Sequence, residues 1–153
     1  MVRPLRTLLV DDDDEAARWV AAELEGQLGP VVVARDAYLA LDRVATETFD
    51  AVVTEVALPG ASGIELLVRL QGRVPAVVLS WLASPAIVAR AQEAGAHAVL
   101  GKPCETTRLL SSVRSAVHRA ERARAERPVG AGLSSTGVSS RPGGGSGGRR
   151  ARR

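Results

Sequence analysis

The chain has 153 residues, 46% hydrophobic and 24% charged, which is room for one ordinary domain with a short appendage and too apolar for a wholly disordered chain. A single cysteine, Cys104, excludes an internal disulfide framework and a multi-cysteine zinc site, and suits a reducing cytoplasm. The net charge of +3 is unevenly placed: residues 1–127 carry all seventeen acids and sum to −2, whereas residues 128–153 carry five arginines and no acid.

Taken in chain order, short apolar runs alternate with longer segments of helical period. Thr7–Val10, Val31–Ala34, Ala51–Thr54, Ala76–Leu79 and Ala98–Leu100 read as five strands, with the continuous Val, Leu and Ala content of strands buried on both faces of a parallel sheet. Arg3 and Arg6 precede the first run, but it stops at four aspartates and does not form a signal peptide. Helix candidates fill the gaps. Residues 14–27 carry Ala17, Val20, Ala21 and Leu24, with Leu28 beyond, as an apolar stripe. Asp36 caps a segment holding Leu41, Val44 and Ala45, and Ser62 caps Gly63–Leu70 with Ile64, Leu67 and Val68 inward. Ser84-Pro85 is a cap with a first-turn proline, and Gly95 ends that helix. The last helix opens at Thr106 or Thr107 and runs to about Arg127, with Leu109, Leu110, Val113 and Val117 inward. The longest uncharged stretch, Val74–Ala89, is broken by Pro75 and Pro85 and too short to span a bilayer.

Five strands alternating with five helices make an α/β fold with a doubly wound parallel sheet over residues 5–126. Residues 127–153 hold eight Gly and five Ser with arginines gathered at the end, and are expected to be a disordered basic tail. Ligands of such sheets bind outside the carboxyl ends of the strands. That rule selects Asp11 and Asp12 after the first strand, Glu55 after the third, Ser80 at the fourth and Lys102-Pro103 at the fifth. Two ionised carboxylates ~4 Å apart repel by about 4 kcal/mol at an effective dielectric near 20. The cluster therefore requires Lys102, a divalent cation or a proton among its acids.

LLVDDD at 8–13, TEVALPGASG at 54–63, VVLSW at 77–81 and GKP at 101–103 together resemble the receiver domain of two-component response regulators, over roughly residues 6–120. The gaps fit as well: 43 residues from Asp12 to Glu55, 25 on to Ser80 and 22 on to Lys102. The resemblance implies a flavodoxin-like strand order, 2-1-3-4-5. It also implies a weak Mg²⁺ site formed by Asp11, Asp12 and the Ala57 backbone carbonyl, Ser80 against a phosphoryl oxygen, Lys102 against its charge, and a cis bond before Pro103. The phosphoryl group would go onto an aspartate at the end of the third strand, and there this chain has Glu55.

The extra methylene carries the carboxylate ~1.5 Å further, out of in-line geometry for phosphoryl transfer and towards where phosphoryl oxygens would sit. Two more departures accompany it. Trp81 stands where the family usually has a small residue, and Val99 where it usually has a switching Tyr or Phe. The chain is thus expected to be an atypical, non-enzymatic receiver, independent of phosphorylation. It would work in the cytoplasm through protein contacts of residues 85–120, with a histidine kinase, an output protein or a second copy.

Blander readings compete at individual residues. Asp13 and Asp14 suit a helix N-terminus; Cys104 suits a small buried hydrophobe; Trp19 and Trp81 suit cover for apolar surface. His97 and His118 are isolated in sequence. A haloacid-dehalogenase-like phosphatase would need Thr in a D-x-D-x-T motif, and Asp11-Asp12-Asp13 is followed by Asp14 and Glu15. The remaining alternatives are an ordinary phosphoaccepting receiver and a nucleic-acid-associated protein using its arginine tail, which lacks aromatic residues to stack bases.

Overall fold

The computed structural model describes residues 2–127, so the expected tail beyond Arg127 lies outside the described residues. Five strands and five helices alternate: β1 (Thr7–Val10), α1 (Asp14–Gln27), β2 (Val31–Ala34), α2 (Ala37–Thr46), β3 (Ala51–Thr54), α3 (Gly63–Leu70), β4 (Ala76–Ser80), α4 (Pro85–Glu93), β5 (Ala96–Gly101) and α5 (Thr106–Ala125). All pairings are parallel, in the order β2-β1-β3-β4-β5, the doubly wound flavodoxin-like arrangement.

Alternation along each strand divides the core in two. Leu8, Val10, Val52 and Val78 face one layer with α2, α3 and α4. Leu9, Val53, Val77 and Leu79 face the other with α1 and α5. β1, β3 and β4 are buried at every residue, but the outer strands are not, and Val33 on β2 is 41% exposed. An edge strand has a neighbour on one side only, so the run Val31–Ala34 is apolar without being fully covered.

Helix starts follow the capping residues. Side chains of Asp13, Asp36, Ser62 and Ser84 accept backbone N–H bonds at the openings of α1 to α4. Gly95, at φ +108°, follows α4 where only glycine is at ease. One inward assignment fails. Val68 is 58% exposed, while Leu66 is fully buried. Ile64 lies at the margin of the buried face, so its i+4 neighbour already points away from the sheet, whereas Leu66, Leu67 and Leu70 share the inner arc. On α2, Ala45 sits outside the arc of Ala37, Ala40 and Val44 and is exposed.

The turn from β3 into α3 is the tightest constraint on the strand ends. Gly63 N–H donates to the Val56 carbonyl at 2.9 Å, and a Cβ on Gly63 would collide with the backbone carbonyl of Glu55 and stand 3.1 Å from Thr54 Oγ1. Backbone atoms there have nowhere to retreat. Gly63→Ala is expected to destabilise the domain by about 2 kcal/mol or more, by analogy with overpacked cores. A urea unfolding midpoint unchanged from the parent would show that the turn yields.

Candidate functional site

The carboxyl ends of β1, β3, β4 and β5 bring four side chains together. Asp11 continues β1 through a bond from its N–H to the Ala34 carbonyl, and Glu55 continues β3 through one to the Val10 carbonyl. The two carboxylates thus leave neighbouring strands side by side. Ser80 ends β4, and Lys102 follows β5 with its N–H bonded to the Ser80 carbonyl at 2.8 Å. The Lys102–Pro103 bond is cis.

Lys102 Nζ lies 2.8 Å from Asp11 Oδ2 and 3.1 Å from Glu55 Oε2, and the three side chains are almost completely covered. Asp11 Oδ1 accepts from the Asp13 N–H at 3.0 Å. Glu55 Oε1 accepts from the Val56 and Ala57 N–H groups at 2.8 and 3.2 Å, and from the Ser80 hydroxyl. Ser80 Oγ accepts in turn from the Leu82 N–H at 2.9 Å. Every carboxylate oxygen of the buried pair therefore has a donor, as two charges out of water require. Burial pulls the Lys102 ammonium down, but its bonds to Asp11 and Glu55 outweigh that, and its pKa stands above the ordinary lysine value.

Of the residues marked in the sequence, Asp11, Glu55, Ser80 and Lys102 meet; Asp12 and Ala57 stand exposed on the rim. Val99 is half-buried on β5 and packs on the layer of α2, α3 and α4. Trp81 is 69% exposed and lines a cavity with Trp19, Lys102, Pro103 and Cys104, whose walls include neither Glu55 nor Ser80. Sequence reasoning missed Thr54, fully buried, whose hydroxyl donates to the Glu55 carbonyl at 2.9 Å. A hydroxyl ending an otherwise aliphatic strand was the available signal. It also missed the backbone donors of Val56 and Ala57, which no residue type announces.

Five parallel strands in the order β2-β1-β3-β4-β5 with five helices make the flavodoxin-like fold of receiver domains. The chain belongs to the response regulator receiver domain family, which it matches over residues 7–114. It is 35% identical over 120 residues to the sensory/regulatory protein RpfC of Xanthomonas campestris, covering 73% of this chain and 16% of that one. It is 34% identical over 118 residues to the transcriptional regulatory protein FixJ of Bradyrhizobium diazoefficiens, covering 74% and 58%. The chain thus spans less than two thirds of these relatives' own length. A protein-glutamate methylesterase of Anaeromyxobacter dehalogenans is similar too, 34% identical over 139 residues and covering 82% of this chain and 38% of that one. Among solved structures, a putative response regulator from Chloroflexus aurantiacus is 30% identical with a TM-score of 0.72, covering 76% of this chain and all of that one. A CheY-like receiver domain protein from Methanospirillum hungatei is 26% identical with a TM-score of 0.73, covering 79% and 99%. Receiver domains are generally non-enzymatic and interact with histidine kinases and output domains. Among the described residues no helix is long and apolar enough to cross a membrane.

Receiver domains typically bind Mg²⁺ at this edge of the sheet. The donors expected for it here do not fit a resident ion as they stand. Both Asp11 oxygens are taken, Asp12 points to solvent, and among the described residues no three or more His, Cys, Asp or Glu cluster to hold a metal. The ammonium of Lys102 already pairs with Asp11 and Glu55. Weak Mg²⁺ binding through Asp11, Asp12 and the Ala57 carbonyl therefore requires Lys102 to move aside.

Two measurements follow from this geometry. Because the folded state holds the Lys102 proton more tightly than the unfolded chain, its stabilisation is complete below about pH 10.5 and is lost as pH rises through the raised value. The melting temperature should fall more steeply above that pH for the parent than for Lys102→Gln, and parallel curves would refute the assignment. In the same variant the apparent Mg²⁺ affinity should rise by about tenfold, roughly 1.4 kcal/mol, read from tryptophan emission in a Mg²⁺ titration. An unchanged midpoint would show that the ammonium does not compete with the ion.

Proposed function

We infer that the chain is an atypical receiver whose signalling surface is set by a built-in carboxylate instead of by phosphorylation. The observation that carries this reading is the engagement of Glu55: its Oε1 takes the Ser80 hydroxyl and the Ala57 N–H, and its Oε2 takes Lys102. By family resemblance Ser80 and Lys102 are the groups that meet a phosphoryl oxygen and its charge. Glu55, at the phosphoacceptor position, satisfies them with a carboxylate that is permanently attached. A nucleophile held by three donors and an ammonium has its lone pairs occupied, and its longer arm leaves the in-line approach. Its electrostatic role is to hold negative charge among these donors at all times.

Val99 supports the same reading, since a valine offers no ring to swing between buried and exposed positions. Output then rests on a fixed surface, for which residues 85–120 are the proposed face, meeting a histidine kinase, an output protein or a second copy. Trp81 plays a smaller part than its bulk suggests. Its ring lines the cavity beside Trp19, so the block to chemistry rests on Glu55 itself.

Incubated with acetyl phosphate and Mg²⁺, the protein should form no hydroxylamine-labile acyl phosphate. Glu55→Asp should form one, and adding Trp81→Ala should change its rate by less than about threefold, a barrier change under 0.7 kcal/mol. Stoichiometric labelling of the unaltered chain would make it an ordinary phosphoaccepting receiver. Glu55→Gln keeps an acceptor oxygen but removes the charge, and should release any partner that co-purifies through residues 85–120.

A further inference from the structure

Thr54 is a polar residue where packing alone asks for an apolar one. It ends β3, is fully buried, and stands in register with Val10 of β1. A hydroxyl taken out of water costs free energy unless it is bonded, and Thr54 Oγ1 donates to the Glu55 carbonyl at 2.9 Å. No backbone N–H among the described residues reaches that carbonyl, so the hydroxyl is what satisfies it.

The Glu55 carbonyl and the Val56 N–H are the two ends of one peptide unit. The unit is planar and trans, so its C=O and N–H point in opposite directions and turn together. Thr54 holds the oxygen end, and the N–H end donates to Glu55 Oε1 at 2.8 Å. The next unit is held from elsewhere. Gly63 N–H bonds the Val56 carbonyl at 2.9 Å, and the Ala57 N–H at the other end reaches the same Oε1 at 3.2 Å. Two consecutive amides thus converge on one carboxylate oxygen, each aimed by a separate bond to the carbonyl of its own unit.

The neighbouring strand offers a comparison within the same site. Val10 has no hydroxyl, and the Asp11 carboxylate that follows it takes the N–H of Asp13, two residues on. Of the two buried acids, only the one preceded by a threonine bonds the amide of the very next residue.

We propose that Thr54 is the positioning residue of the Glu55 carboxylate. By fixing the Glu55–Val56 peptide it aims the Val56 amide at Oε1, and so keeps that oxygen on the Ser80 hydroxyl and Oε2 on Lys102. This gives a physical cause for the fixed carboxylate of the proposed function. It rests on where the carboxylate is held and not on its reactivity, which acyl-phosphate labelling tests separately.

Native-state amide exchange, resolved by residue in proton–nitrogen correlation spectra of the full chain, tests the assignment. Thr54→Val keeps the shape of the side chain and removes the hydroxyl. The Val56 N–H should then exchange about tenfold faster relative to the Ala57 and Gly63 N–H groups, the factor given by a lost hydrogen bond of about 1.4 kcal/mol. Thr54→Ser restores the donor and should bring that ratio back to within about twofold of the parent. Equal acceleration of all three amides would mean that the hydroxyl merely supports the turn, and it overturns the proposal, as does an unchanged ratio. Should Thr54→Val not fold, Thr54→Ser decides alone: a ratio like the parent's upholds positioning by the hydroxyl, and a selective loss of protection at Val56 overturns it.

Discussion

One ammonium holds the carboxyl edge of this sheet together. Asp11 and Glu55 leave adjacent strands almost fully buried, and Lys102 reaches both from β5, two strands beyond β3. Without it the pair would carry two negative charges in a poorly solvated space, and removing one partner of a buried ion pair typically costs roughly 3–5 kcal/mol. The backbone supplies the rest of the compensation. Asp13, Val56 and Ala57 N–H groups point inward only because the turns after β1 and β3 are shaped to aim them, and Gly63 makes the second turn possible. Fold and site therefore share one support: the parallel register that places four strand ends level.

Glutamate suits that arrangement in a way aspartate would not. One carboxylate has to reach a hydroxyl on β4, an ammonium after β5 and two amides of its own turn. A longer side chain spans those partners from a fixed Cα. On the proposed reading, binding capacity and reactivity are thereby separated within a single residue.

Much of this was legible in the sequence. β1, β3 and β4 declared themselves because strands covered on both faces need uninterrupted apolar runs, and the caps at Asp36, Ser62 and Ser84 are side-chain signals for helix starts. Asp11, Glu55, Ser80 and Lys102 followed from the strand-end rule, since a parallel sheet presents all its carboxyl ends on one edge. The illegible parts share a cause. Val68 was misplaced because spacing gives a periodicity without giving the centre of the buried arc. The amides that hold Glu55 belong to backbone that every residue carries. The direction of Trp81 depended on a turn whose path the sequence does not encode residue by residue.

Lysine is nearly absent from this protein: nineteen arginines accompany a single lysine, and that lysine is Lys102. The one side-chain primary amine of the chain is thus held between two carboxylates at the centre of the cleft, where an acylating reagent meets a free amine only when those ion pairs open. Acylation of Lys102 would count those openings directly. The rarity of lysine turns an ordinary amine-labelling experiment into a clock for local opening of a single cleft, on a scale that ranges from fraying to global unfolding.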